Sequence, residues 1–270
     1  MAEPVATGPG AVRVALRQVG YQNRLVLRSP TGPFFTLVIP LMVLIALNLV
    51  YGNQTIHARG VRFPRFYTPA MAAFAITNAC YVNVLTGVTL SRDEGMLKRF
   101  RGTPLPTWAY FFGRTVSAGL VAVLSAGVVL LMGTSMYPVT FPWRAVGPLV
   151  LATLAGVVCF SMLGLAVSAF VPTAGAALPV AYGTLLPLSF ISDVFFPMDT
   201  SPHWLRTAAS ALPLRPLARS LEAPFLSGNA GVHWAELAVV GGWAVAGAAL
   251  VAVCFPWERS GSGIRARRAR

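Results

Sequence analysis

The chain alternates between long apolar runs and short polar stretches. Six runs reach about the 20 mostly apolar residues that a membrane-crossing helix needs. They are 34–51, 67–90, 108–132, 145–171, 174–191 and 234–255. The first contains Pro40, the second is unusually polar, and the fifth is interrupted by Pro179 and Pro187. This pattern predicts an all-α integral membrane protein, a single transmembrane domain over 1–270 with six transmembrane helices.

Three further segments are too short or too broken to cross. Residues 11–28 place Arg13, Arg17, Arg24 and Arg28 within roughly 60° of one another on a helical wheel, with Val12, Ala15, Val19 and Val26 near the opposite face. That predicts a basic amphipathic helix lying in the membrane interface, ended by Ser29-Pro30. The loop 91–106 reads SRDEGMLKRFRGTPLP. Ser91 with Glu94 fits a capping box, Glu94 and Lys98 pair at i,i+4, and Gly102, Pro104 and Pro106 stop the helix. Met96, Leu97 and Phe100 give it an apolar knob suited to a partner's groove. Residues 192–232 are too apolar for a water-exposed loop, so 203–211 and 214–223 are expected as short re-entrant helices of an outer lid. Spans four and five, joined only around Pro172 and Thr173, are expected to form a tight hairpin.

Composition narrows the class. The chain is 56% hydrophobic and 11% charged, far below the roughly 25% charged residues of soluble domains. A soluble enzyme, a disordered chain and a nucleic-acid-binding module are excluded. Net charge is +13, and its distribution reports topology. If the N-terminus is cytoplasmic, the inner segments hold Arg13, Arg17, Arg24, Arg28, Arg92, Lys98, Arg99, Arg101, Arg114, Arg259, Arg265, Arg267, Arg268 and Arg270. The outer ones hold Arg59, Arg62, Arg65, Arg144, Arg206, Arg215 and Arg219. This bias predicts both termini in the cytoplasm, with the cluster at 59–65 dissenting. The start of the chain lacks the apolar core of a secretory leader. Cys80, Cys159 and Cys254 sit in separate apolar runs, so neither a disulfide framework nor a metal site is expected.

At this point the chain resembles the membrane subunit of an ABC-2-type transporter. The residues that carry the resemblance are RDEGMLKRFRGTPLP after span two and SFISDVFFPMDTSPHWLRTAASALPLRPLARSL after span five. The resemblance implies an N-terminal interface helix, here 11–28. It also implies a coupling helix that docks on a separate ABC ATPase subunit, here Arg92, Asp93, Glu94, Met96, Leu97, Lys98, Arg99, Phe100 and Arg101. It further implies a second permease copy, identical or not, meeting this one through spans one, two and five in the cell membrane, and the export of drugs, lipids or glycoconjugates. The chain needs no cofactor of its own, ATP and Mg being held by the partner. A P-loop requires Gly-Lys-Ser/Thr, and Leu97 precedes the single lysine, Lys98. Lipid is the other expected partner, and no nucleic acid is.

Polar residues inside the spans remain. Thr77, Asn78, Asn83 and Thr86 in span two are expected to line a translocation path or to act as interhelical glue, with glue the readier reading. Asp193 and Glu236, near the outer ends of spans five and six, are expected to snorkel to the interface, as is Arg114 on the cytoplasmic side. An ATP-independent carrier and an intramembrane hydrolase stay as alternatives. The first would need charged coupling residues near mid-membrane. The second lacks an HExxH or GxSxG motif.

Overall fold

The computed structural model describes residues 9–28, 31–52, 54–56, 60–96, 107–197, 201–226 and 231–254. Ten α-helices are described: α1 (Pro9–Arg28), α2 (Thr31–Tyr51), α3 (Phe63–Thr77), α4 (Asn83–Asp93), α5 (Thr107–Met136), α6 (Val146–Ser168), α7 (Ala174–Ile191), α8 (His203–Ala211), α9 (Leu214–Leu226) and α10 (Trp234–Cys254). A two-stranded antiparallel hairpin, β1 (Thr55–Ile56) and β2 (Val61–Arg62), follows α2. Six helical segments are long and apolar enough to cross a membrane, as the hydrophobic runs predict.

The second span is the axle of the bundle. It runs from Phe63 to Asp93 as α3, a π-helical turn at Asn78–Val82, and α4. In its most apolar stretch 83% of residues are buried, against 22% in the first and fifth spans and 11% in the sixth. α2, α5 and α9 pack on α3, while α6 and α7 pack on α4. Exposed Met42, Leu49, Leu124, Leu131, Trp234 and Val253 lie on the outer surfaces of the peripheral spans, where lipid takes the place of a core. Pro179 and Pro187 do not interrupt α7, and Pro40 lies inside α2. Packed neighbours and local adjustment make such prolines tolerable in membrane helices.

Two boundaries differ from the sequence expectation. Ser91 is not an N-cap: it lies buried inside α4, which continues to Asp93. The helix ends at Gly95, whose φ of 70° belongs to the left-handed region that glycine enters without steric cost. Arg92 and Asp93 are therefore the last turn of span two, and helix resumes only at Met96. The other residues expected in a coupling helix, Leu97, Lys98, Arg99, Phe100 and Arg101, lie outside the described residues.

The two ends of the bundle differ. At the near end α1 packs along α5 with Gln18 and Gln22 buried, and Arg13, Arg17, Arg24 and Arg28 belong to the same helix. At the far end, α8 and α9 match the two short helices expected between spans five and six. α9 is no loose lid: Leu214, Leu217, Leu221 and Phe225 are buried, and the helix packs on α3 and α10. Trp243 Nε1 of α10 donates to the carbonyl of Ala211 at 2.7 Å, capping the end of α8.

Candidate functional site

The π turn places the polar residues of span two. At its end the backbone N–H of Asn83 reaches the Cys80 carbonyl. The Asn83 amide donates to Ala79 O at 2.9 Å and to Thr36 Oγ1 of α2 at 3.2 Å. Asn78 Nδ2 reaches the Thr36 carbonyl at 3.4 Å and faces Tyr182 of α7. Tyr81 bonds Thr184 of α7 at 2.8 Å. One π turn thus ties span two to spans one and five.

The four path candidates separate. Thr77 and Asn78 are buried within the protomer. The Thr77 and Thr86 hydroxyls bond back to Ala73 O and Val82 O of their own helix, at 2.9 and 2.7 Å, so neither donates an interhelical hydrogen bond. The glue reading fits Asn78 and Asn83. Between Phe66 and Ser91, only Asn83, Thr86, Gly87 and Leu90 are not buried. Their spacing of i, i+3, i+4, i+7 makes them one face of α4, a seam of two polar residues, a glycine and a leucine.

Arg114 of α5 completes this seam. It does not snorkel outward. Its Nη2 donates to the Asn83 carbonyl at 2.9 Å and its Nη1 to Gln22 Oε1 of α1 at 3.2 Å. The guanidinium fills the space beside Gly87, where a Cβ would lie 1.2 Å from Nη2. Sequence reasoning missed Thr36, Gln18 and Gln22; the i,i+4 glutamines beside an arginine stripe were the available signal.

Just below, Arg92 and Asp93 hold the hairpin between spans four and five. Arg92 Nη1 donates to Ser168 O at 3.0 Å and Nη2 to Val171 O, both at the carbonyl end of α6. Asp93 Oδ2 accepts from the backbone N–H of Ala174, the first residue of α7. Cation and anion thus each meet the helix end that attracts them.

At the far end Asp193, just past α7, is buried with φ 67° and pairs with buried Arg215 of α9 at 3.7 Å. Arg215 also donates to the Arg206 carbonyl. This overturns the expectation that Asp193 snorkels to an interface. Glu236 keeps partial exposure in a cleft of 220 Å³ that Arg215 and Arg219 also line. Among the described residues no group of acids, histidines and cysteines is placed to hold a metal.

A six-span bundle whose buried axle leads into a charged loop is what the motifs around 92–106 and 189–221 implied. The family model described as ABC-2 type transporter matches residues 19–226, from within α1 to the end of α9. The chain belongs to that family. It is 28% identical over 153 residues to the "Probable multidrug ABC transporter permease YbhR" of Escherichia coli K12, an alignment covering 56% of this chain and 40% of the relative. The chain therefore spans less than half the length of that relative. It is 26% identical over 206 residues to the "Daunorubicin resistance ABC transporter permease protein DrrB1" of Streptomyces coeruleorubidus, covering 72% of this chain and 68% of the relative. As an ABC-2 family member the chain is a multi-pass membrane protein. The seam, the Arg92–Asp93 joint and the Asp193–Arg215 pair all fall within the matched region.

Proposed function

We propose that the chain is the membrane subunit of an ATP-driven exporter. The seam of Asn83, Thr86, Gly87 and Leu90 carries this reading. An amide, a hydroxyl and a guanidinium are costly against lipid tails. A face that presents them on the central helix therefore suits a path shared by cargo and a second permease copy. Spans one and five flank that face, and their own exposed surfaces are available to the second copy.

Energy enters at the near end. The segment after the Gly95 turn, 96–106, docks on a separate ABC ATPase through Met96, Leu97 and Phe100, with Lys98, Arg99 and Arg101 around them. ATP and Mg stay on that partner. Closure of the ATPases pushes the loop, and the axle carries the displacement into the bundle, which alternates between inward- and outward-open states. The near end is cytoplasmic, both termini lie there, and the protein resides in the cell membrane. The cargo is apolar or amphipathic and enters from the bilayer, in keeping with the multidrug and daunorubicin names of the two relatives.

Co-expression with candidate ATPase subunits and affinity purification in detergent tests the reading. An ATPase co-purifies with the wild-type chain and is lost from the Leu97→Asp, Phe100→Asp double variant. A folded wild-type chain that captures no ATPase yet moves a solute across liposomes would make it an ATP-independent carrier.

A further inference from the structure

The seam has a sign. Arg114 lies against Gly87, and both its described hydrogen bonds go to neutral acceptors, Asn83 O and Gln22 Oε1. A guanidinium carries about five N–H donors in a planar fork, so donors remain beyond these two. Arg114 is partly exposed, as are Asn83, Thr86 and Gly87 beside it.

No carboxylate among the described residues balances it. Asp93 is turned to Ala174 N, Glu94 is exposed on the turn after α4, Asp193 pairs with Arg215 at the far end, and Glu222 and Glu236 lie at that same end on α9 and α10. A cation held in a protein interior without a counter-charge is unfavourable, and an arriving anion relieves that cost. Nearby, Gln18 of α1 is 6% exposed and its Nε2 has no partner. Gln18 packs on Gly113, the neighbour of Arg114.

We infer that Arg114 receives the anionic group of the cargo, and that this cargo is an amphiphile with a phosphate head. A fork of N–H groups suits phosphate oxygens, while Leu90 and the flanking spans offer apolar surface to a tail. The inference rests on the seam being the path. It narrows the substrate class from amphipathic molecules in general to anionic ones.

The test uses the full chain purified in dodecyl maltoside, with no ATPase present, so its outcome is separate from ATPase capture. Radiolabelled phosphatidylglycerol and phosphatidylcholine with identical acyl chains are titrated in mixed micelles, with inorganic phosphate as competitor. Wild type binds phosphatidylglycerol about tenfold tighter, a difference of about 1.4 kcal/mol. Arg114→Gln abolishes the preference and Arg114→Lys, which keeps the charge, retains part of it. Equal binding of the two lipids by wild type overturns the proposal, as does a preference that survives Arg114→Gln. So does a preference lost in Arg17→Gln with Arg24→Gln, which would assign it to the basic stripe of α1. Displacement of phosphatidylglycerol by equimolar inorganic phosphate would reveal a plain phosphate site and overturn the amphiphile. If Arg114→Gln does not elute as a folded species, Arg114→Lys and Gly87→Ala decide, the latter keeping the charge but expelling the guanidinium from its seat.

Discussion

Asp93 accepts a hydrogen bond from the backbone N–H of Ala174, so the last residue of the second span caps the first turn of the fifth. Arg92, beside it, binds the carbonyl end of the fourth span at Ser168 and Val171. The side chain of Thr173, at the N-cap position of α7, makes no capping bond, so the cap comes from another helix. Two adjacent charges thereby join the end of the axle to a hairpin, immediately before the Gly95 turn.

Asp93→Ala removes that cap. The expected loss is about 1 kcal/mol, typical of a lost N-cap. That lowers the midpoint of thermal denaturation in detergent by about 2 to 4 °C. Asp93→Asn, which keeps an accepting oxygen, should lie within about 1 °C of wild type if the hydrogen bond outweighs the charge. Size-exclusion profiles after graded heating measure both. A drop in Asn equal to that in Ala would assign the effect to charge alone.

Gly87→Ala places a methyl in the space that Arg114 Nη2 occupies. The guanidinium must leave, losing its bond to Asn83 O, and bonds to charged groups are worth about 1.5 to 3 kcal/mol. The two positions should therefore be strongly coupled. On the Gly87→Ala background, Arg114→Gln should cost at least about 1 kcal/mol less than on wild type. A double-mutant cycle of denaturation midpoints gives that difference, and additive effects would separate the two residues.

The spans were legible because lipid demands long apolar runs, and 34–51 and 174–191 are visible in composition alone. The short helices 203–211 and 214–223 were legible because 192–232 is too apolar for a water-exposed loop and too broken by proline to cross; the second runs on to Leu226. The π turn was not, since NACYV contains neither Gly nor Pro to mark it. Nor was the destination of Arg114, because it depends on the missing side chain at Gly87 of another helix. An arginine near a helix start reads equally well as snorkelling. Ser91 misled for a related reason: a capping box is a local pattern, and packing of α4 on the fourth and fifth spans carries the helix through it.

Asp193 and Arg215 are each at most 2% exposed, so their pair is shielded from water and salt. Removing one partner leaves the other charge buried, and such changes cost about 3 to 5 kcal/mol. Asp193→Ala is expected to reduce folded yield and heat resistance sharply. Asp193→Leu with Arg215→Leu should be the milder variant, because an apolar pair leaves no stranded charge. Yield and size-exclusion profiles after graded heating compare the two. Equal damage from the single and double changes would mean that the stranded charge of Arg215 is not what makes the loss of Asp193 costly.

The second span is joined to the fifth and to the segment just past it at three depths: Asp93 to Ala174 N, Tyr81 to Thr184, and Tyr67 to the Phe195 carbonyl. At 1.5 Å per residue, successive ties along span two are roughly 20 Å apart. Ties so separated act independently, and together they resist relative tilt, sliding and rotation. The described hydrogen bonds from the axle to span one lie at one level near its middle turn, through Thr36 at Asn78 and Asn83, while at the end of span one the contact is the Tyr51–Phe63 ring stack, which lacks a hydrogen bond's direction and lets the helix pivot. Spans two and five should therefore move as one body and span one against them. Spin labels on exposed Leu90 and Leu178 should keep their separation when ATP is added to the permease–ATPase complex, within about 2 Å. Labels on exposed Met42 and Leu178 should change theirs by more than about 5 Å, the scale of a one-turn shift. Tyr81→Phe with Tyr67→Phe removes two of the three ties and should broaden the Leu90–Leu178 distance distribution. A constant Leu90–Met42 distance with a changing Leu90–Leu178 distance would reverse the assignment and make the first span, not the fifth, the axle's companion.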